Sequence, residues 1–236
     1  MRPRITIATI KGPGRNPLIA ITASAVIALA ATGCRLESPA SGTVGVYEDS
    51  TSIVAIGDSQ TSVHDHPQRG PSWADRIPGV TNGAAGMGGG GWRQRSARTN
   101  QTIDDRTAQH LNNHADHIVV MAGVNDLNNH WLAQDLLEPI TAWKARLDAA
   151  NAQYTVIGVV PYPRDARVAR TENQRQELNA SFAEVFRDRY LDCDSYLSDE
   201  DGWLLPGLSL SATDLHLNSA GEQKLADCVI QSGLLE

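Results

Sequence analysis

The chain has 236 residues with 20 Lys+Arg against 27 Asp+Glu, a formal net charge of −7. That balance excludes recognition of polyanions through bulk positive charge, so neither nucleic acid nor an anionic bilayer surface is an expected partner. Once the basic N-terminal segment and the tether described next are set aside, about 185 residues remain for folding, ample for one core and few for two.

Residues 1–33 contain Arg2, Arg4, Lys11 and Arg15 and no acid, and an uncharged run of 18 residues from Asn16 to Gly33 ends at Cys34. A basic start, a short apolar core and small residues before a cut site read as an export signal. A run of that length could also just span a bilayer as an uncleaved anchor. Ala31-Thr32-Gly33-Cys34 resembles the lipobox of bacterial lipoproteins, with Ala where Leu is commoner, and the resemblance implies cleavage before a lipid-modified Cys34. The expected organisation is a lipoprotein signal peptide (1–33), a Ser-, Gly-, Pro- and acid-rich tether (34–51) and a folded domain (52–236). The expected location is extracytoplasmic, with lipid anchorage to the membrane or secretion. Removal of the signal leaves 16 Lys+Arg against 27 Asp+Glu, a net of −11. If Cys34 carries lipid, Cys193 and Cys228 remain as a pair, either a disulfide or two buried thiols.

Within the folded part, Ser52–Ile56, His117–Met121 and Tyr154–Val160 are continuous apolar runs rich in branched residues, the pattern of parallel strands buried on both faces. Val80 marks a weaker strand and Tyr190–Cys193 a fifth. Helical segments fall between them, at roughly 72–77, 103–114, 131–150, 168–189 and 219–232. In the fourth, Val168, Leu178, Phe182, Val185 and Phe186 form an apolar stripe opposite Glu172, Arg175, Glu177, Arg187 and Asp188. Alternating strands and helices predict a doubly wound α/β fold, three layers around a parallel sheet, with chemistry at the carboxyl ends of the strands.

The loops at those ends carry a hydroxyl in Gly57-Asp58-Ser59, a glycine-rich stretch from Thr81 to Trp92, a carboxamide in Gly123-Val124-Asn125-Asp126, and a histidine, His216, just before the last helix. Gly-Asp-Ser alone is also an ordinary turn and helix cap. Acyl transfer needs what the four loops jointly supply: an attacking oxygen, a base that titrates near neutrality, and donors for a developing oxyanion.

From Ser52 to about Asp227 the chain resembles the SGNH, or GDSL-type, hydrolases, whose four blocks contribute Ser, Gly, Asn and His. The resemblance implies a flavodoxin-like five-stranded sheet in the order 2-1-3-4-5. It implies Ser59 as nucleophile and His216 as base, with Asn125 and Gly86 as oxyanion donors and Gly83 as an alternative register for the second block. It implies no metal and no cofactor. The acid departs from the family pattern: Thr213 stands three before His216, where Asp is usual, and Asp214 only two before. Asp214 after a local shift, a dyad oriented by a backbone carbonyl or Thr213, and a carboxylate from Asp199-Glu200-Asp201 all remain open. The expected activity is serine esterase hydrolysis of short-chain acyl esters, the partner a small-molecule or glycan ester. The rivals are O-acyl transfer between cell-envelope glycans and a catalytically inactive lipoprotein that binds glycan or protein.

Other signals read more simply. The GxGxxG of Gly86–Gly91 does not follow the first strand, as a dinucleotide site requires. His110, His114 and His117 lie at the opposite edge of the sheet from the proposed site. Trp92, Trp131 and Trp203 could wall a sugar site, though burial is the default for at least two of them. Arg93, Arg95 and Arg98 could attract an acidic substrate, but a hydrated basic turn is the simpler reading.

Overall fold

The computed structural model describes residues 52–62, 68–84 and 87–235; the signal, the tether and Cys34 lie outside the described residues, as do His64 to His66 and Gly86. Five parallel strands, β1 (Ile53–Gly57), β2 (Val80–Asn82), β3 (His117–Met121), β4 (Gln153–Ile157) and β5 (Tyr190–Leu191), form one sheet in the order β2-β1-β3-β4-β5. β1 pairs with β3 from Ile53 opposite His117 to Gly57 opposite Met121. The α/β fold and its strand order are those expected.

Side chains alternate across the pleat, so each strand feeds two cores. Val54, Ile56, Ile118, Val120 and Val156 face one side. They pack there against α1 (Ile103–Asn112), α3 (Ala133–Ala149) and α4 (Glu172–Phe186) through Ile103, Leu136, Ile140, Trp143, Leu178, Phe182 and Phe186. Ile53, Ala55, Val119, Met121 and Ile157 face the other side. Their partners are Trp73, Ala74 and Ile77, Leu197 of the short α5 (Asp194–Leu197), and Leu225, Ala226 and Val229 of α6 (Ser219–Gln231). A disulfide between Cys193 and Cys228 ties the end of β5 to α6. Among the described residues no helix is long and apolar enough to cross a membrane.

The differences from the sequence reading have local causes. β4 ends at Ile157 rather than Val160, because the Asn179 side chain of α4 takes both the N–H and the carbonyl of Val159 at 2.8 and 3.0 Å, replacing the ladder and bending the chain out of the sheet. The helix expected over 72–77 is one 3₁₀ turn at Ala74–Arg76. The long fourth helix is reduced to α4 between two 3₁₀ turns, with Arg187 at φ 53° marking its end. A short helix the sequence did not announce, α2 (Val124–Asn128), starts at Gly123, whose φ of 140° suits only glycine.

Candidate active site

The site lies beyond the carboxyl ends of β1 and β3. After Gly57 the chain turns at once: Thr61 and Ser62 both donate their N–H to the Asp58 carbonyl, at 3.2 and 3.0 Å. A Cβ on Gly57 would overlap the Thr61 hydroxyl and approach the Met121 carbonyl to 2.5 Å, so only glycine permits this turn so close to β3. Asp58 points inward and accepts the Gln60 N–H at 2.8 Å, while Ser59 remains 8% exposed at the surface of the turn. Burial, with a smaller push from the nearby Asp126, raises the Asp58 carboxyl to about 7 in spite of the backbone hydrogen bonds and Arg69 that lower it.

His216 reaches this turn from a loop with its own construction. Asn218 caps α6 through the N–H groups of Ala220 and Gly221, and its amide nitrogen donates to the carbonyls of Gly207 and Ser209 at 2.7 and 2.9 Å. Leu210 donates to the His216 carbonyl, so 209–217 closes like a narrow hairpin. A Cβ on Gly221 would collide with the Leu208 carbonyl, which accounts for the glycine five residues past the histidine. Gln60 completes the junction by donating its amide to the Leu215 carbonyl at 2.7 Å.

The result is a contiguous relay. His216 Nε2 lies 2.9 Å from Ser59 Oγ, and Nδ1 lies 2.8 Å from Asp214 Oδ1. With Nδ1–H donating to the carboxylate, Nε2 carries the lone pair and accepts from the serine hydroxyl. The two-residue spacing that put Asp214 in doubt is resolved by an Asx turn: Oδ1 also accepts the His216 backbone N–H at 2.9 Å, folding the carboxylate back beneath its own ring. Two acids of the alternative run are directed elsewhere. Asp199 and Asp201 pair with Arg164, and Asp199 caps the N–H groups of Asp201 and Trp203. Thr213 contacts Ser211.

The third block places the carboxamide expected as an oxyanion donor. Asn125, in the first turn of α2, gives one amide hydrogen to the Gly90 carbonyl at 2.9 Å and carries a second. Its neighbour Asp126, unremarked in the sequence reading, accepts the N–H groups of Trp92, Arg93 and Gln94 at 2.8 to 2.9 Å and so anchors the glycine loop. A Cβ on Gly91 would overlap that carboxylate. Burial raises the Asp126 carboxyl, with these N–H groups pulling the other way. Gly86 lies outside the described residues. The alternative Gly83 is removed on direct grounds: its N–H donates to the Ala55 carbonyl at 2.8 Å and is not available to an oxyanion. Asn82 joins the second block to the first by donating to the Thr61 carbonyl and the Ser72 hydroxyl, at 2.8 and 2.9 Å.

Among the tryptophans, Trp92 is buried in an edge-on cluster with Trp143 and Phe182 and forms no wall of the site. Trp131 is 39% exposed beneath the Arg93 guanidinium, and Trp203 is partly exposed beneath Arg164. Arg93 and Arg95 are paired with Glu138 and Asp105. His117 stands at the amino end of β3, where its Nε2 contacts the Thr155 hydroxyl, and His114 follows α1, but His110, in the last turn of α1, faces Gly83 just past the carboxyl end of β2, not the opposite edge expected. Among the described residues no cluster of three or more His, Cys, Asp or Glu could hold a metal ion.

Comparison with known proteins agrees with this fold. A GDSL-like lipase from Bacteroides thetaiotaomicron superposes with a TM-score of 0.59 at 16% identity, covering 78% of this chain and 87% of its own. A member of the lipolytic G-D-S-L family from Veillonella parvula gives 0.54 at 17% identity, covering 76% and 96%. A variant of an acetyl-xylooligosaccharide esterase from Geobacillus gives 0.54 at 13% identity, covering 76% and 92%. No curated protein matches the chain. The sequence model of the GDSL-like lipase/acylhydrolase family matches residues 55–224, from β1 through the first half of α6. With most of the chain inside that match, the protein belongs to the GDSL-like lipase/acylhydrolase family.

Proposed function

We propose that this chain is an exported serine esterase that cleaves short-chain acyl esters through a covalent acyl-enzyme. One observation carries the reading: Ser59 Oγ, the two ring nitrogens of His216 and the Asp214 carboxylate form an unbroken chain of hydrogen bonds at 2.9 and 2.8 Å. His216 takes the serine proton as Oγ attacks the ester carbonyl. The N–H groups of Ser59 and Gly86 and the second amide hydrogen of Asn125 receive the oxyanion. His216 then protonates the departing alcohol, and a water activated by the same imidazole releases the acid. The export signal and lipid on Cys34 place this chemistry outside the cytoplasm, with residues 34–51 as tether.

A second reading, acyl transfer to or from an envelope glycan, is favoured by a groove of about 440 Å³ walled by Trp203, Arg164 and Asp165. The groove ends at Ser211 and Ala212 on the loop that bears the base. Product analysis with and without an acceptor glycan separates transfer from hydrolysis. The Asp214 contact weighs against an inactive binding protein, whose motive was the displaced acid. The deciding experiment is Ser59→Ala with p-nitrophenyl acetate and a fluorophosphonate probe. Both turnover and labelling are expected to vanish, and turnover near wild type in the variant defeats the assignment.

A further inference from the structure

Arg69 is wholly buried, in a place no motif marks. Its Nε donates to Glu222 Oε1 at 2.7 Å, Nη1 to the Ser59 carbonyl at 2.6 Å, and Nη2 to the Gln60 carbonyl. The other oxygen of Glu222 accepts the Trp73 N–H at 2.7 Å. Glu222 stands in the first turn of α6, six residues after His216. One planar guanidinium therefore holds the backbone of the nucleophile on one side and the helix that follows the base on the other. Two further ties run parallel to it, from Gln60 to the Leu215 carbonyl and from the Ser219 N–H to the Gln68 carbonyl at 3.0 Å.

We propose that Arg69 is a positioning residue that fixes the Ser59 hydroxyl in register with the imidazole of His216, with Glu222 as the anchor that orients its guanidinium. The inference rests on the serine-esterase reading. Only Arg can do this with one side chain, because the fork of a guanidinium presents several donors in a plane, whereas an ammonium is a single point. A buried charge pair is poor evidence for stability as such, since apolar replacement of both partners is often neutral. What apolar side chains cannot reproduce is the pair of donors on the Ser59 and Gln60 carbonyls. Loss of those donors frees the turn to shift, and a displacement of about 1 Å between reacting groups costs about 10²-fold in rate.

The double variant Arg69→Met, Glu222→Leu removes both charges together. With p-nitrophenyl acetate it is expected to retain the wild-type near-ultraviolet circular dichroism, to lose about 10²-fold in kcat with KM within about threefold, and to react with the fluorophosphonate correspondingly more slowly. A folded double variant with kcat within threefold of wild type, or one whose loss falls on KM alone, overturns the proposal. If the double variant does not fold, Arg69→Lys decides: it keeps the charge opposite Glu222 but cannot serve both carbonyls. A similar loss in kcat at unchanged melting temperature supports the clamp, and wild-type kcat overturns it. Failure of the esterase reading looks different, because wild type itself then neither turns over nor takes the label.

Discussion

Replacing Asp214 by Asn and by Ala separates two ways in which a carboxylate can serve a catalytic histidine. In triads where the acid touches only the ring, an Asn substituent can present its NH₂ and stabilise the wrong imidazole tautomer, at a cost on the order of 10⁴ in rate. Here Asp214 Oδ1 accepts from both the backbone N–H of His216 at 2.9 Å and Nδ1 at 2.8 Å. In Asp214→Asn the carboxamide oxygen stays in that position, because the reversed amide would set NH₂ against a backbone N–H. The tautomer is preserved and only the charge is lost. A charge-assisted bond of about 1.5–3 kcal/mol becomes a neutral one of about 0.5–1.5, a difference of about 1–1.5 kcal/mol or roughly 5–15-fold. The 39% side-chain exposure of Asp214 keeps the effect at the lower end of that range. Asp214→Ala removes the bond and the Asx turn together and is expected to lose about 10²–10³. The assay is kcat/KM for p-nitrophenyl acetate across the pH range with matched thermal melts. An Asn variant less active than the Ala variant refutes the pinned geometry, and an Ala variant at wild-type activity removes Asp214 from the mechanism.

Two further outcomes test the supports of the site. Asp58 has its folded-state pKa raised by burial to about 7 from an ordinary 3.8, so the unfolded chain releases this proton first, and the folded state loses stability as pH rises from about 4 to about 7. Asp58→Asn lacks that loss. Its melting temperature relative to wild type should therefore climb between pH 5 and pH 8, by the equivalent of up to about 3 kcal/mol, and a pH-independent gap contradicts the assignment. The Cys193–Cys228 disulfide closes a separation of 35 residues, so the paired Ser variant, or wild type under reductant, should lose about 3–4 kcal/mol in urea unfolding. An unchanged midpoint would show that the bridge contributes nothing.

Much of this architecture is legible in the sequence. Branched runs at 52–56, 117–121 and 154–160 with helical stretches between them dictate a parallel sheet, because a strand buried on both faces must be apolar along its whole length. Gly-Asp-Ser, Gly-Val-Asn-Asp and His216 were visible because each combines a reactive side chain with the small or turn-forming residues needed at a strand's end. Elements shorter than one hydrophobic period leave no such trace, which is why α2 and the early end of β4 are visible only in the structure.

Sequence by itself thus determined the fold class and singled out Ser59, His216 and Asn125 as candidates at the carboxyl ends of the strands, since these follow from residue type and short-range spacing. Tertiary structure alone decided which acid meets the imidazole, because an Asx turn reverses the direction that a spacing of two would give an extended chain. It alone decided that Gly83 lends its N–H to the sheet and not to the site. It alone revealed Arg69, since a buried cation draws its role from carbonyls and a carboxylate up to 153 residues away, and no local pattern encodes partners at that range.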